Sequence, residues 1–155
     1  LTSKDNGNKN LKFDVIEETL LKTNLKHILE GDIVNLERSI KASSEIGGHL
    51  MSGHIHFTGE VKKIFEKENT KDMRISISKN YSDYILEKGY IGINGCSLTI
   101  GKVFKNYFNI HLIPETLKIT NLDKLEEKDL VNIEIDQTTI AIVDTVKKTL
   151  ATQKS

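Results

Sequence analysis

The 155-residue chain has no tryptophan, one proline, one cysteine and no excess of charge of either sign. Each shortage excludes something. A lone thiol, Cys96, cannot build a disulfide framework within the chain, which favours a reducing compartment. Lys and Arg number 22, as do Asp and Glu, so no net field steers the chain toward nucleic acid or an anionic membrane. No run of 18 apolar residues is present to span a bilayer. Apolar residues make up 37% of the chain, lean but sufficient for a core. A cytoplasmic protein is expected.

What is present is a long repeat. Residues 1–38 can be laid on residues 98–135 without a gap. Leu1 and Thr2 fall on Leu98 and Thr99, and Glu18-Thr19-Leu20 falls on Glu115-Thr116-Leu117. Asp32, Val34, Asn35 and Glu37 fall on Asp129, Val131, Asn132 and Glu134. A period this long implies two copies of a domain rather than a solenoid of small units. The second copy has a leader, residues 50–97, that the first lacks, so the first domain is expected to be N-terminally incomplete.

Alternation dominates locally. Met73, Ile75 and Ile77 face one way and Arg74, Ser76 and Ser78 the other, as in a half-buried strand. Phe108, Ile110 and Leu112 alternate likewise, as do Val131, Ile133 and Ile135, and in the first copy Leu11, Phe13 and Val15, then Val34 and Leu36. Strands are expected near 53–66, 72–78, 90–95, 98–104, 107–113 and 129–136, with short helical turns at 81–88 and 114–122. The sole proline, Pro114, opens the latter. Many short strands at regular spacing indicate an all-β fold with a closed or nearly closed antiparallel barrel. Three parts follow: a partial first barrel with linker over 1–46, a complete barrel over 47–137, and a helix over 138–155. That helix carries Ile142, Val146 and Leu150 four residues apart, a stripe expected to meet copies of itself.

Three clusters stand out as candidate chemistry. Residues 47–56 hold Gly47, Gly48, Gly53, His49, His54 and His56. The histidines have no adjoining Cys or carboxylate set at a zinc spacing. Metal, plain structure, and an organic ligand bound or deprotonated by neutral imidazole all remain open there. In residues 94–99, Ser97 and Thr99 put two hydroxyls on one strand face beyond an Asn-Gly turn. Residues 113–117, with their counterpart 16–20, form a turn whose N–H groups beside Thr suit the carbonyls of a flat ring. Recurrence of the last two clusters suggests two similar small-molecule sites.

Gly-Gly-His-Leu-Met-Ser-Gly-His at 47–54, Asn-Gly-Cys-Ser-Leu-Thr at 94–99, His-Leu-Ile-Pro-Glu-Thr-Leu at 111–117 and Val-Asn-Ile-Glu-Ile-Asp at 131–136 resemble the riboflavin synthase family of the alpha-chain type. The likeness runs over essentially the whole chain. It implies tandem six-stranded antiparallel Greek-key barrels that bind lumazine, and a homotrimer held partly by C-terminal helices. The implied reaction is a dismutation. One 6,7-dimethyl-8-ribityllumazine gives a four-carbon unit to another, yielding riboflavin and 5-amino-6-ribitylaminouracil with no metal or redox cofactor.

Carried onto matching positions, the resemblance implies a substrate site at Gly53, His54, Ile55, Lys88, Ser97, Leu98, Thr99, Ile113, Pro114, Glu115, Thr116, Leu117 and Lys118. First-copy counterparts are Leu1, Thr2, Asp14, Val15, Ile16, Glu17, Glu18 and Thr19. His54 is the candidate for proton transfer, Ser97, Thr99 and Lys88 orient, and Asp136 matches an acidic residue near the ribityl chain or reacting centre. The family's first-barrel cysteine would precede Leu1, and Cys96 is not its equivalent but a small core residue. With about three strands of the first barrel missing and its edges unpaired, the chain is expected to bind lumazine at its C-terminal barrel but turn over poorly. The alternative is a non-catalytic lumazine- or flavin-binding protein of the same fold, such as a bioluminescence antenna.

Overall fold

Chain polarity alternates where the strands form. The computed structural model describes residues 1–5, 10–41, 43, 45 and 47–153. Six strands close into one antiparallel barrel: β3 (Phe57–Lys67), β4 (Thr70–Ser76), β5 (Tyr90–Ile93), β6 (Cys96–Val103), β7 (Tyr107–Leu112) and β8 (Leu130–Ile135), in the order β3-β4-β7-β6-β5-β8. β5, β6 and β7 follow one another as hairpins and β8 returns beside β5, the Greek-key arrangement. Every second side chain points inward. Val61, Met73, Ile75, Ile91, Ile93, Ile100, Phe108, Ile110, Leu112, Val131, Ile133 and Ile135 fill the interior with exposure of 1% or less. Register shifts between Val61 and Lys63 and between Ile100 and Val103 bend β3 and β6 where the sheet must curl to close.

The turn between β5 and β6 shows sequence dictating geometry. Asn94 and Gly95 take φ of 46° and 81°, the pair of left-handed residues that a two-residue hairpin demands. Lys71, on β4, was not singled out in the sequence. Its stem is buried, and its ammonium donates to the carbonyls of Asp123 and Leu125 at 2.6 and 2.9 Å.

The repeat survives in local structure down to single bonds. α1 (Glu17–Lys22) and α2 (Pro114–Ile119) are equivalent, and each runs into a four-residue 3-10 turn. Thr23 and Thr120 cap those turns, accepting from Leu25 and Leu122 while donating to the carbonyls of Thr19 and Thr116. The two copies also grip each other reciprocally. Asn121 donates its N–H to Asn35 Oδ1 and its amide to the Ile33 carbonyl. Asn24 does the same to Asn132 Oδ1 and the Leu130 carbonyl.

The first copy builds strands in part: among the described residues β1 (Ser3–Asp5) and β2 (Lys12–Phe13) form and pair with each other, β2 within the expected 11–15 stretch. Val34 and Leu36 lie in no strand. Their counterparts in β8 bond to β3 and β5, for which the first copy has no equivalents among the described residues.

α3 (Gln137–Thr152) is the C-terminal helix. It folds back on the barrel. Ile140 packs against the core, Tyr84 donates to Asp144 at 2.6 Å, and Lys147 pairs with Asp83 at 2.9 Å over the Tyr84 ring. Ile142, Val146 and Leu150 remain 60%, 51% and 52% exposed, so the stripe stays open. No helix among the described residues is long and apolar enough to cross a membrane.

Candidate functional site

The outer face of the barrel carries a row of three residues at one register: Ser97 on β6, Gly92 on β5 and Glu134 on β8. Their strand neighbours point inward, so these three face out. Residues 48–54 run across the row as a strap. At one end, Ser97 Oγ accepts the His49 N–H at 3.1 Å and lies 2.7 Å from His49 Nδ1. The His49 ring stacks on Tyr90, with centroids 5.3 Å apart. In the middle, Met51 lies over Gly92, where a Cβ would come within 3.0 Å of both Met51 Sδ and Glu134 Cβ.

At the other end, the buried Glu134 carboxylate gathers three donors. Ser52 gives its N–H at 2.7 Å and its hydroxyl at 2.9 Å, and the Gly53 N–H lies 3.1 Å from both oxygens. A buried carboxylate is tolerated only when hydrogen-bonded in this way. His54 Nδ1 is 2.8 Å from the Ser52 hydroxyl.

Beside the row lies an open crevice of about 610 Å³. One wall is Gly95 to Ser97 with Thr116, Lys118 and Ile119, and the other is Ile33 to Glu37 of the first copy. Asn35 Nδ2 crosses it to the Asn94 carbonyl at 2.8 Å and to Cys96 Sγ at 3.4 Å. Burial, seconded by the Glu37 charge, pushes the Cys96 thiol up to about 11. At neutral pH it stays a thiol and is no nucleophile. Burial likewise raises the Glu37 carboxyl, with the Glu134 charge adding to it.

Ser97, Thr116 and Lys118 therefore meet at one crevice, while His54 does not line it. His54 belongs to the far end of the row, with Gly53. Leu98 points into the core, contrary to its expected role at a ligand, because alternation along β6 turns it inward. Thr99 is exposed opposite Tyr90, and Lys88 is exposed at a turn with φ of 67°. Asp136 is spent as the N-cap of α3, accepting from Thr139 N–H at 2.8 Å and Thr139 Oγ1 at 3.0 Å. Ile113, Pro114 and Glu115 are exposed, and Leu117 packs on the core. Ile55 is half-buried where the strap enters β3.

In the first copy, Leu1 and Thr2 are exposed, Asp14 pairs with Lys4 at 2.5 Å, and Val15 and Ile16 precede α1. Glu17 and Glu18 sit on its first turn, Glu18 pairing with Lys22, and Thr19 supplies the carbonyl that Thr23 uses. None lines the crevice. Its first-copy wall is Ile33 to Glu37 instead, a segment the repeat marked but no motif singled out.

His56 has a structural task. Its Nδ1 accepts the Ile135 N–H at 3.1 Å and its ring meets Tyr81 edge-on, so the neutral ring is the one that fits. Burial lowers its pKa below the usual 6.5, partly opposed by the Glu134 charge. The unfolded chain thus takes up the proton first on acidification. The stability due to neutral His56 is intact above the unfolded value and is lost as pH falls through the folded one. Between about pH 7 and about pH 5, the wild type is expected to lose more melting temperature than His56→Gln, which keeps an acceptor but does not titrate. Parallel melting curves would remove this role. No group of His, Cys, Asp and Glu among the described residues is placed to hold a metal ion.

The lumazine binding domain family matches residues 52–136. That match begins after the first copy, whose strands form no barrel of their own, so the expected incomplete first lumazine-binding repeat is not borne out. Riboflavin synthase of Escherichia coli (strain K12) is 50% identical over 151 residues, covering 97% of this chain and 70% of that protein. Riboflavin synthase of Chlamydia pneumoniae is 50% identical over 139 residues, covering 90% and 68%. Among solved structures, LumP complexed with 6,7-dimethyl-8-(1'-D-ribityl) lumazine superposes with TM-score 0.68 at 29% identity, over 77% of this chain and 64% of that one. LumP complexed with riboflavin gives 0.70 at 31% identity, over 77% and 65%.

Proposed function

The chain belongs to the lumazine-binding riboflavin synthase family, and from that premise we propose that it joins two molecules of 6,7-dimethyl-8-ribityllumazine. One gives a four-carbon unit to the other, leaving riboflavin and 5-amino-6-ribitylaminouracil. The observation that carries this reading is the juxtaposition of crevice and row. Ser97 belongs to both, so a ring held at Thr116 and Lys118 lies beside the His49 end of the strap, whose other end carries His54. A volume of about 610 Å³ is suited to one heteroaromatic ring with a polyol tail.

The lumazine C7 methyl group is acidic because its anion delocalises into the ring. A modest base with hydrogen-bond donors toward the ring then suffices. His54 is the proton-transfer group in this reading, with Ser97, Thr116 and Lys118 as orienting groups. Thr99 and Lys88 stand at the exposed margin. Asp136 serves by fixing α3 at the end of β8. The rest of the barrier is positional, since two rings must stack with reacting carbons apposed. A second copy of the chain supplies the opposing ring, and the open stripe of Ile142, Val146 and Leu150 supports assembly through α3, as a trimer. Cytoplasmic residence completes the reading.

Mixing the protein with 6,7-dimethyl-8-ribityllumazine is expected to yield riboflavin and the diaminouracil product in equal amounts, read by absorbance and chromatography. The likeness to LumP favours one second reading, a non-catalytic binder of the same ligands. Stable lumazine fluorescence without riboflavin would establish that reading and end the first.

A further inference from the structure

His54 stands at the end of a chain of three side chains, with Ser52 of the strap and Glu134 of β8 behind it. His54 Nδ1, Ser52 Oγ and Glu134 Oε1 are joined by contacts of 2.8 and 2.9 Å. The donor and acceptor inventory of the three groups fixes the directions of these bonds. An ionised carboxylate only accepts. Glu134 Oε1 already takes the Ser52 N–H, and the hydroxyl beside it must donate its single proton there too. The Ser52 oxygen then has only lone pairs to offer the imidazole, so Nδ1 must carry the hydrogen. A neutral ring has one N–H, which leaves Nε2 bare.

Glu134 itself cannot swing away. It is 3% exposed, two backbone N–H groups hold its oxygens, and the strap over Gly92 covers it. The exposed imidazole is therefore tied to a rigid buried anion through one hydroxyl. We propose that Ser52 and Glu134 are positioning residues that fix His54 as the Nδ1–H tautomer, presenting Nε2 as the base that takes the proton from the lumazine C7 methyl group. In that step the C–H bond breaks, its electron pair stays with the ring as the delocalised anion, and the proton forms the second N–H of an imidazolium. The same proton is available for return to the products, so the cycle closes with no net change at His54. This inference rests on the proposed riboflavin synthase activity, but its first test does not.

Nitrogen-15 chemical shifts of the wild-type protein at neutral pH are expected to show His54 protonated at Nδ1, and Ser52→Ala to shift it toward the Nε2–H form. A wild-type His54 protonated at Nε2 overturns the proposal with no variant needed. In turnover, Ser52→Ala is expected to lose about tenfold in kcat, with KM unchanged and activity regained in Ser52→Thr. In a His54→Gln background, Ser52→Ala is expected to cost nothing further, because the serine acts only through that ring. An undiminished loss in that background overturns the positioning role. A wild type with the Nδ1–H tautomer but no riboflavin formation would leave the tautomer assignment standing and overturn both the base role and the activity on which it rests.

Discussion

Gly92→Val is expected to cost about 10²-fold in turnover while the barrel stays folded. The added side chain points outward, between β6 and β8, into space filled by Met51 Sδ and Glu134 Cβ at 3.0 Å. Strand backbones on either side are hydrogen-bonded and cannot give way. The strap, held by fewer bonds, lifts instead. Lifting it separates Ser52 and Gly53 from Glu134 and carries His54 off its position. Valine is at home in a strand, so the melting temperature is expected to change by only a few degrees. Riboflavin formation within about twofold of wild type would mean the strap has no part in the chemistry.

Phe108→Ala is expected to be the most destabilising single change, at about 3–5 kcal/mol. Phe108 is fully buried, pairs across β4 with Ile75, and lies in the middle of the closed interior. Nothing near it is loose enough to refill the space, because both flanking strands are locked in the ladder. A chain of this length then melts on the order of 10 °C lower. Calorimetry showing a shift of only about 2 °C would indicate an interior that collapses on its cavities.

These two sites differ in how openly the sequence announced them. Phe108 sits in a clean alternation, and a period of two fixes which face is buried before any partner strand is known. The strands β4, β7 and β8 were legible for that reason, and all six lie where expected with ends shifted by a few residues. The Asn94-Gly95 turn was legible because its left-handed geometry admits few residue types. Gly92 was not. Its meaning lies in what crosses above it, which no local pattern records. Glu134 was hidden likewise, since a charged residue at an outward strand position reads as solvent-facing until the strap covers it. Asp136 shows a duty its motif does not spell out: its place before a helix makes it a cap. The stretch from Ile33 to Glu37 looked like a strand by its alternation. It forms a crevice wall instead, because a strand exists only where another stands ready to pair with it.

The reciprocal grip of Asn24 on Asn132 and Asn121 on Asn35 has a further consequence. A surface that offers both the hook and its eye is complete in itself, so one repeat already holds all that is needed to recognise another. Fusing two into a single polypeptide turns a handshake between strangers into one between neighbours, at a local concentration no free partner reaches. Each half then sets the angle of the other without borrowing anything from outside the pair.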